Sequence, residues 1–337
     1  MLTMRRAEIQ DIPMIMQFLD DHWLKGYALA HNRELFDWQF VRNGKVNVWI
    51  GVDDDVHHMY AMEGAIIYSD SDKPDVSGCL WISTRSENPF LAYELALLML
   101  KETNSQEEFG IGLLPKAAKI YKKLGEEVVT LDHYYRLGNK SEYLIAQIQK
   151  VEIPKVTDSK YQLIKLNTPD EMKKYISLNL LEECRPRKDY GYLIWRYYEH
   201  PIFQYEVWGI DDQRGEAKGA IVTREERSQE SVALKIVDFY GQQDALGRIT
   251  CALDSIIAQR GYEYADIYSY GIDTAVYEKS GFMKCDESSV NIIPNFFQPY
   301  TCINTEIYAK KPKASLIARF FRGDSDQDKP RLMIDIK

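Results

Sequence analysis

Ala275-Val276-Tyr277-Glu278-Lys279-Ser280-Gly281-Phe282 decides the reading of this chain. Its core, Val276 to Gly281, echoes an earlier stretch, Ile120-Tyr121-Lys122-Lys123-Leu124-Gly125. A second pair of landmarks repeats at nearly the same separation: Asp11 and Asp170 each open an apolar-periodic helix. Two landmarks with one offset predict a duplicated unit, and repeats are read before anything else because they set the architecture.

Working outward, each half carries the same order of elements. In the first, a strand at 2–7 precedes helices at 11–20 and 33–40. Strands follow at 46–52, 58–68 and 76–84, rich in β-branched and aromatic residues. A helix at 89–102, a strand at 109–114, a helix at 116–123 and two closing strands complete it. In the second half the order is a strand at 161–165, helices at 170–180 and 191–198, and strands at 204–209, 217–223 and 233–240. A helix at 246–260 ends at Gly261, where a left-handed cap is expected. A strand at 262–270, a helix at 274–279 and strands to about 309 follow. The expected division is 1–150, a linker at 147–160, 160–312, and a tail at 313–337 with an apolar helix at 314–321 and an acidic run, Asp324-Ser325-Asp326-Gln327-Asp328. The expected class is α/β with a mixed sheet: two domains, each a central, mostly antiparallel, twisted sheet flanked by helices.

The bulk numbers agree with an ordinary globular protein. The chain has 337 residues, 45% apolar and 28% charged. Its formal net charge is -9, which argues against non-specific nucleic-acid binding, since that needs a basic surface. Five cysteines at wide spacings and six histidines give neither a disulfide framework nor a metal-ligand pattern, so no metal is expected. No stretch reads as a signal peptide, and the most apolar run, 91–100, is too short to span a bilayer. A cytoplasmic protein with no membrane contact is the expectation, its oligomeric state open, a homodimer included.

The element order and the Tyr-x-Lys-x-Gly-Phe segment at 277–282 resemble the GNAT superfamily of acyltransferases, as an A-x-x-Y-x-K-x-G-F element. The resemblance covers most of both halves as a pattern and a few residues as a motif. It implies an acyl-coenzyme A donor, acetyl-coenzyme A first among them, and an amine acceptor. The family's phosphate turn, [Gln/Arg]-x-x-Gly-x-[Gly/Ala], has a counterpart in Gln242-Gln243-Asp244-Ala245-Leu246-Gly247, followed by Arg248. Small residues there let backbone N–H groups close on a diphosphate at a helix N-terminus. Ala245 stands where Gly is usual, and Asp244 would repel phosphate unless it turns outward. The matching stretch of the first half, Arg85-Ser86-Glu87-Asn88-Pro89-Phe90, departs further: Phe90 would fill the space and Pro89 lacks an N–H. The first half is therefore expected to be a degenerate copy and the second to bind the donor.

By the same resemblance, Tyr277 protonates the departing thiolate, and the backbone of Phe239 and Tyr240 meets the pantetheine and the acyl carbonyl. Asp273 replaces an Asn often found before that tyrosine; as a helix cap it has an ordinary alternative use. Asp238, late in its strand, is a candidate general base, with an ion pair as the alternative. Acceptor candidates are the aromatic second helix of each half and the loop after it, with Trp195, Arg196 and His200 in one and Trp38 in the other, and, separately, His22 in the stretch His22-Trp23 followed by Gly26-Tyr27. Aromatic faces with a cation suit a sugar or nucleotide-sugar, although amphipathic packing explains them equally. The segments around Trp38 and Trp195 are similar to those of tandem members of the superfamily associated with bacterial surface-polysaccharide synthesis. The expected activity is N-acylation of a small-molecule amine, an amino sugar foremost. Two alternatives stay open: a transferase drawing its acyl group from aminoacyl-tRNA, and a non-catalytic binding or scaffold protein, whose two strand gaps would both be filled.

Overall fold

The computed structural model describes every residue except 1, 85, 87, 106, 157–159, 179–183, 229, 295–299, 313–316 and 334–337. The chain forms two compact units. One comprises Met1–Gly110, His200–Ile202 and Lys329–Lys337; the other comprises Ile111–Glu199 and Phe203–Asp328.

The first unit is built on β1 (Leu2–Arg6), β2 (Val48–Asp53), β3 (His58–Ile67) and β4 (Asp75–Ser83), each antiparallel to the next. Helices α1 (Ile12–His22) and α2 (Arg33–Phe40) lie between β1 and β2 in sequence. Asn32 caps α2, its side chain accepting the Leu35 N–H at 3.0 Å. After β4 come α3 (Leu91–Thr103) and β5 (Glu107–Leu113). α3 buries Leu91, Leu95 and Met99 against Trp49, Ala61, Ala65 and Val76. Gly51 permits this approach, because a Cβ there would stand 2.9 Å from the Leu91 side chain. On the opposite face Phe40 sits over Gly64, 2.7 Å from where its Cβ would be. Fully burying each such aliphatic side chain contributes roughly 1.5–3 kcal/mol.

The second unit starts with α4 (Pro115–Lys123), β6 (Glu127–Thr130) and β7 (Asp132–Leu137). It continues with β8 (Gln162–Leu166), α5 (Pro169–Tyr175), α6 (Tyr190–Tyr197), β9 (Glu206–Asp211), β10 (Ala217–Ser228) and β11 (Ser231–Gly241). A short helix, Gln243–Leu246, precedes α7 (Thr250–Arg260), β12 (Tyr264–Tyr270), α8 (Thr274–Lys279) and β13 (Met283–Cys285). β14 (Tyr308–Lys311) and the two-residue β15 (Phe320–Phe321) end it. The sheet runs β8-β9-β10-β11-β12-β7-β13, with β15 also on β12. α7 covers one face with Leu253 and Ile257 against Ile236, Phe239 and Ile267. Gly261 ends α7 in the left-handed region, φ 71°.

Two strands trade places within this unit. β7, the last strand of the first run of elements, lies between β12 and β13. β14, the last of the second run, pairs instead with β6. Residues 111–150, expected with the N-terminal half, thus count in the second unit.

Three expected helices differ. The helix expected at 246–260 is broken at 247–249. The one expected at 170–180 ends at Tyr175, Ile176 being extended at φ -95°, ψ 121°, and 179–180 lie outside the described residues. At 317–321 the chain forms strands, Ile317–Ala318 and Phe320–Phe321, rather than a helix; 314–316 lie outside the described residues. The apolar run reads as helix by content alone, and non-local pairing overrides it.

Candidate active site

β11 and β12 run parallel, and a parallel pair that splays is where this kind of sheet takes a ligand. Their pairing covers only Leu234–Ile236 with Ala265–Ile267. Just beyond it β11 carries a bulge, opposite Val222 and Thr223, so Val237 is the extra residue. The candidate base Asp238 follows at 1% exposure. Its carboxylate accepts from Lys188 Nζ at 2.7 and 2.8 Å, from Tyr197 Oη at 2.6 Å and from the Phe239 N–H at 2.8 Å. Tyr277 is as deeply buried. Its hydroxyl lies 2.7 Å from Ser269 Oγ, and its ring stacks on Tyr134 at 4.0 Å and 13°. Burial pushes its phenol well above the ordinary range. Phe239 and Tyr240 pair with Ile221 and Ala220, and the Tyr240 hydroxyl donates to the Leu178 carbonyl at 2.7 Å.

The turn after β11 is closed upon itself. The Gln242 N–H donates to the Lys218 carbonyl, the Ala245 N–H to Gln242 and the Arg248 N–H to Ala245. Ala245 and Leu246 are buried. Gly247 packs on α8: a Cβ there would stand 3.2 Å from the Val276 carbonyl. Gln243 Oε1 accepts the Asp273 N–H at 3.1 Å, and Asp273 caps α8 by accepting the Ala275 N–H at 2.9 Å. Arg248 pairs loosely with Asp244 at 3.7 Å and lies 5.7 Å over the Tyr161 ring. The small residues at 245 and 247 thus let two helical segments touch.

The wedge between β11 and β12 is filled by the chain itself. β15 pairs antiparallel with β12, Phe320 opposite Tyr270 and Phe321 opposite Ser269. The Arg322 N–H donates to the Tyr268 carbonyl at 3.2 Å and the Gly323 N–H to the Val237 carbonyl at 2.6 Å. Arg319 reaches the Gly241 carbonyl at 2.9 Å. Phe320 stacks on Tyr270 at 5.0 Å, and Phe321 meets Phe239 edge-on at 6.1 Å. The gap that was expected to open for a pantetheine arm holds peptide backbone.

The expected acceptor residues go to different tasks. Arg196 donates to the Gly323 carbonyl at 3.2 Å and pairs with Asp328. Trp195 tilts against Tyr192 at 5.6 Å. In the first unit, Trp38 and His200 come together with ring centroids 4.2 Å apart, 49° between planes. His22 packs on Phe18 at 4.7 Å.

The first unit presents the same strand arrangement. β4 pairs parallel with β5 at Asp75–Ser77 only. Beyond Ser77 the strand continues through Gly78–Ser83. This strand too is bulged, its register shifting against Met62 and Gly64, with Leu80 at φ 56°. Phe90, expected to fill the turn, is 66% exposed and fills nothing. Its N–H donates to Asn88 Oδ1 at 2.9 Å, and Asn88 Nδ2 donates to Glu94 Oε2 at 2.7 Å, which sets the entry into α3. Trp81 Nε1 donates to the Ala92 carbonyl at 2.8 Å.

Sequence reasoning missed Glu63. It is 1% exposed, and its carboxylate lies over the edge of β4 where Gly78 has no side chain. A Cβ on Gly78 would stand 2.6 Å from Glu63 Oε1 and 3.4 Å from Glu108 Oε1. The signal was present: one acid in an otherwise apolar strand, Met59-Tyr60-Ala61-Met62-Glu63-Gly64-Ala65. Among the described residues no group of acids, histidines and cysteines is arranged to hold a metal ion, and no helix is long and apolar enough to cross a membrane.

Bulged strands that pair briefly and splay, each followed by a helix, give this chain the fold of the GCN5-related N-acetyltransferases, in two sheets. A GCN5-related N-acetyltransferase from Anabaena variabilis superposes with a TM-score of 0.57 at 12% identity, over 92% of this chain and 72% of that one. A conserved protein of unknown function and probable N-acyltransferase from Enterococcus faecalis gives 0.56 at 10% identity, over 93% and 73%. No family model matches the sequence, and no curated protein does. Likeness at such identity concerns the fold.

Proposed function

We propose that this chain is an acyl-coenzyme A-dependent N-acyltransferase acting on a primary amine of a small molecule, and that its donor lies along Gly78–Thr84 in the first unit. One observation carries the assignment. Of two equivalent strand edges, the one at Val237–Gly241 is covered by residues 319–323, which leaves for the donor the stretch of β4 that follows its short parallel pairing with β5 at Asp75–Ser77. A pantetheine arm carries amides that pair with such an edge, and α3, thirteen residues long, offers its N-terminus to the diphosphate.

The reaction needs the amine lone pair to attack the thioester carbon, the C–S bond to break, and one proton to pass from nitrogen toward sulfur. The bulge at Leu80 turns backbone groups out of the ladder, where an N–H can face the developing oxyanion. Glu63, beside Gly78, supplies a carboxylate to receive the amine proton. For the acceptor, the Trp38–His200 pair belongs to the same compact unit and offers aromatic faces to a sugar ring. An amino sugar is the proposed acceptor class and acetyl the proposed acyl group.

The test is calorimetric titration of acetyl-coenzyme A into the wild-type chain and Tyr93→Glu. Tyr93 is exposed in the first turn of α3, where an acid suits the helix and repels a diphosphate. The proposal expects one donor per chain and at least tenfold weaker binding in Tyr93→Glu, with melting unchanged. No binding of acetyl-coenzyme A or longer acyl-coenzyme A esters, or full binding by the variant, overturns it.

A further inference from the structure

The segment that fills the second wedge is seated too specifically to be a mere plug. From Phe320 to Asp328 all residues but Gly323 and Gln327 are 5% exposed or less. Asp324 caps the turn it stands in, accepting the Phe321 N–H at 2.8 Å, and pairs with Lys188 at 2.7 Å. Lys188 is shared with Asp238 of β11 and lies 5.7 Å over the Phe321 ring. Asp328 is held by Arg196 and by the Tyr205 hydroxyl, and its carbonyl accepts from Arg224 at 2.6 Å. Gly323 is forced by the approach: a Cβ there would stand 2.6 Å from the Val237 carbonyl and 3.0 Å from Tyr197 Oη.

Two features separate this cleft from a site for an acyl donor. Lys188, Arg196 and Arg224 carry buried cationic side chains; Lys188 faces Asp238 and Arg224 faces Glu226 within the sheet, while Arg196 faces Asp328 of the tail, and a buried cation left without a carboxylate is costly. A pantetheine arm is uncharged and would leave Arg196 without Asp328. The turn that would have to meet the diphosphate packs against α8, Gly247 lying on the Val276 carbonyl. A peptide with two aromatics followed by aspartates answers both features, and strand addition at a splayed edge is a known mode of peptide recognition.

We propose that the cleft formed by β11, β12 and α6 is a peptide-recognition groove for the pattern Phe-Phe-x-Gly-Asp-x-x-x-Asp, taken in cis by this chain's own residues 320–328. The groove binds through Lys188, Arg196 and Arg224 and through the carbonyls of Val237 and Tyr268, and it admits no acyl donor. This does not depend on the donor assignment in the first unit, which has its own titration.

The test changes the occupant and leaves the groove intact. The full-length variant Phe320→Asp/Phe321→Asp, with folding checked by circular dichroism, is titrated with a fluorescent synthetic peptide of residues 317–329 and, separately, with acetyl-coenzyme A. The expected result is one peptide bound per chain, at least tenfold weaker when Arg196→Ala is added, with donor stoichiometry as in the wild type. A folded variant that ignores the peptide overturns the proposal. So does a gain of one acetyl-coenzyme A per chain, which would make the cleft a self-blocked donor site. Should the double variant fail to fold, hydrogen exchange on the wild-type chain decides: amides 320–323 stay protected at saturating acetyl-coenzyme A, and loss of their protection overturns the groove.

Discussion

The Gly323 N–H donates to the Val237 carbonyl across 2.6 Å, at the one residue where β11 bulges out of register. A bulge leaves backbone groups without a ladder partner, and here the tail supplies one. Gly323→Ala should therefore destabilise the chain by about 1–3 kcal/mol, the range for forcing extra atoms into a packed site. Urea denaturation measures it, and an unchanged midpoint would show that the tail shifts freely.

Lys188 serves two buried carboxylates, Asp238 and Asp324. Lys188→Met leaves both without their ammonium, and breaking a buried pair in this way costs about 3–5 kcal/mol. Adding Asp324→Asn should restore part of the loss, because one of the two stranded charges is then gone. Equal destabilisation of the single and double variants would deny the coupling.

Burial pushes the Asp324 carboxyl up to about 6, against the pull of Lys188, and Asp238 nearby pushes the same way. A carboxyl whose folded value lies above its unfolded one favours the fold when protonated. Its contribution is complete below about 3.8 and is lost as pH rises through about 6. The wild-type chain should therefore lose stability between about pH 4 and 6 relative to Asp324→Asn and run parallel to it above that, read as melting temperature against pH for both. Profiles parallel throughout would remove Asp324 as the source.

Asp273 caps α8 through the Ala275 N–H. Asp273→Ala should cost about 1 kcal/mol, the ordinary worth of such a cap, while acetyl-coenzyme A binding stays as in the wild type. A selective loss of donor binding would return the donor to the second unit.

Glu63→Gln keeps the shape of the side chain and removes its capacity as a base. Acylation of a good amine acceptor should fall 100-fold or more in kcat, with donor affinity kept. Equal activity would leave Glu63 a structural acid.

Much of the fold was legible because its signals are local. Asp170 and Asp273 announce helix starts, Gly261 announces a stop, and runs rich in β-branched and aromatic residues mark β2 to β4. The site was less legible, since what decides it is non-local. Tyr277 could be singled out, but not its stacking on Tyr134, more than a hundred residues earlier in the chain. Gly247 and Ala245 looked small for a ligand's sake, yet Gly247 admits α8. Phe320 and Phe321 scored as helix because no local pattern reveals a strand partner at Ser269 and Tyr270. Trp38 and His200, singled out separately, proved to be neighbours.

The traded strands bear on how the chain is made. Asp132–Leu137 lies between Tyr264–Tyr270 and Met283–Cys285, so it leaves the ribosome long before either neighbour exists. At 5–20 residues per second the delay is on the order of ten seconds. Through that interval a segment containing Tyr134, Tyr135 and Leu137 waits without its sheet. Nascent chains arrested short of Tyr264 are the form of this molecule most in need of a chaperone.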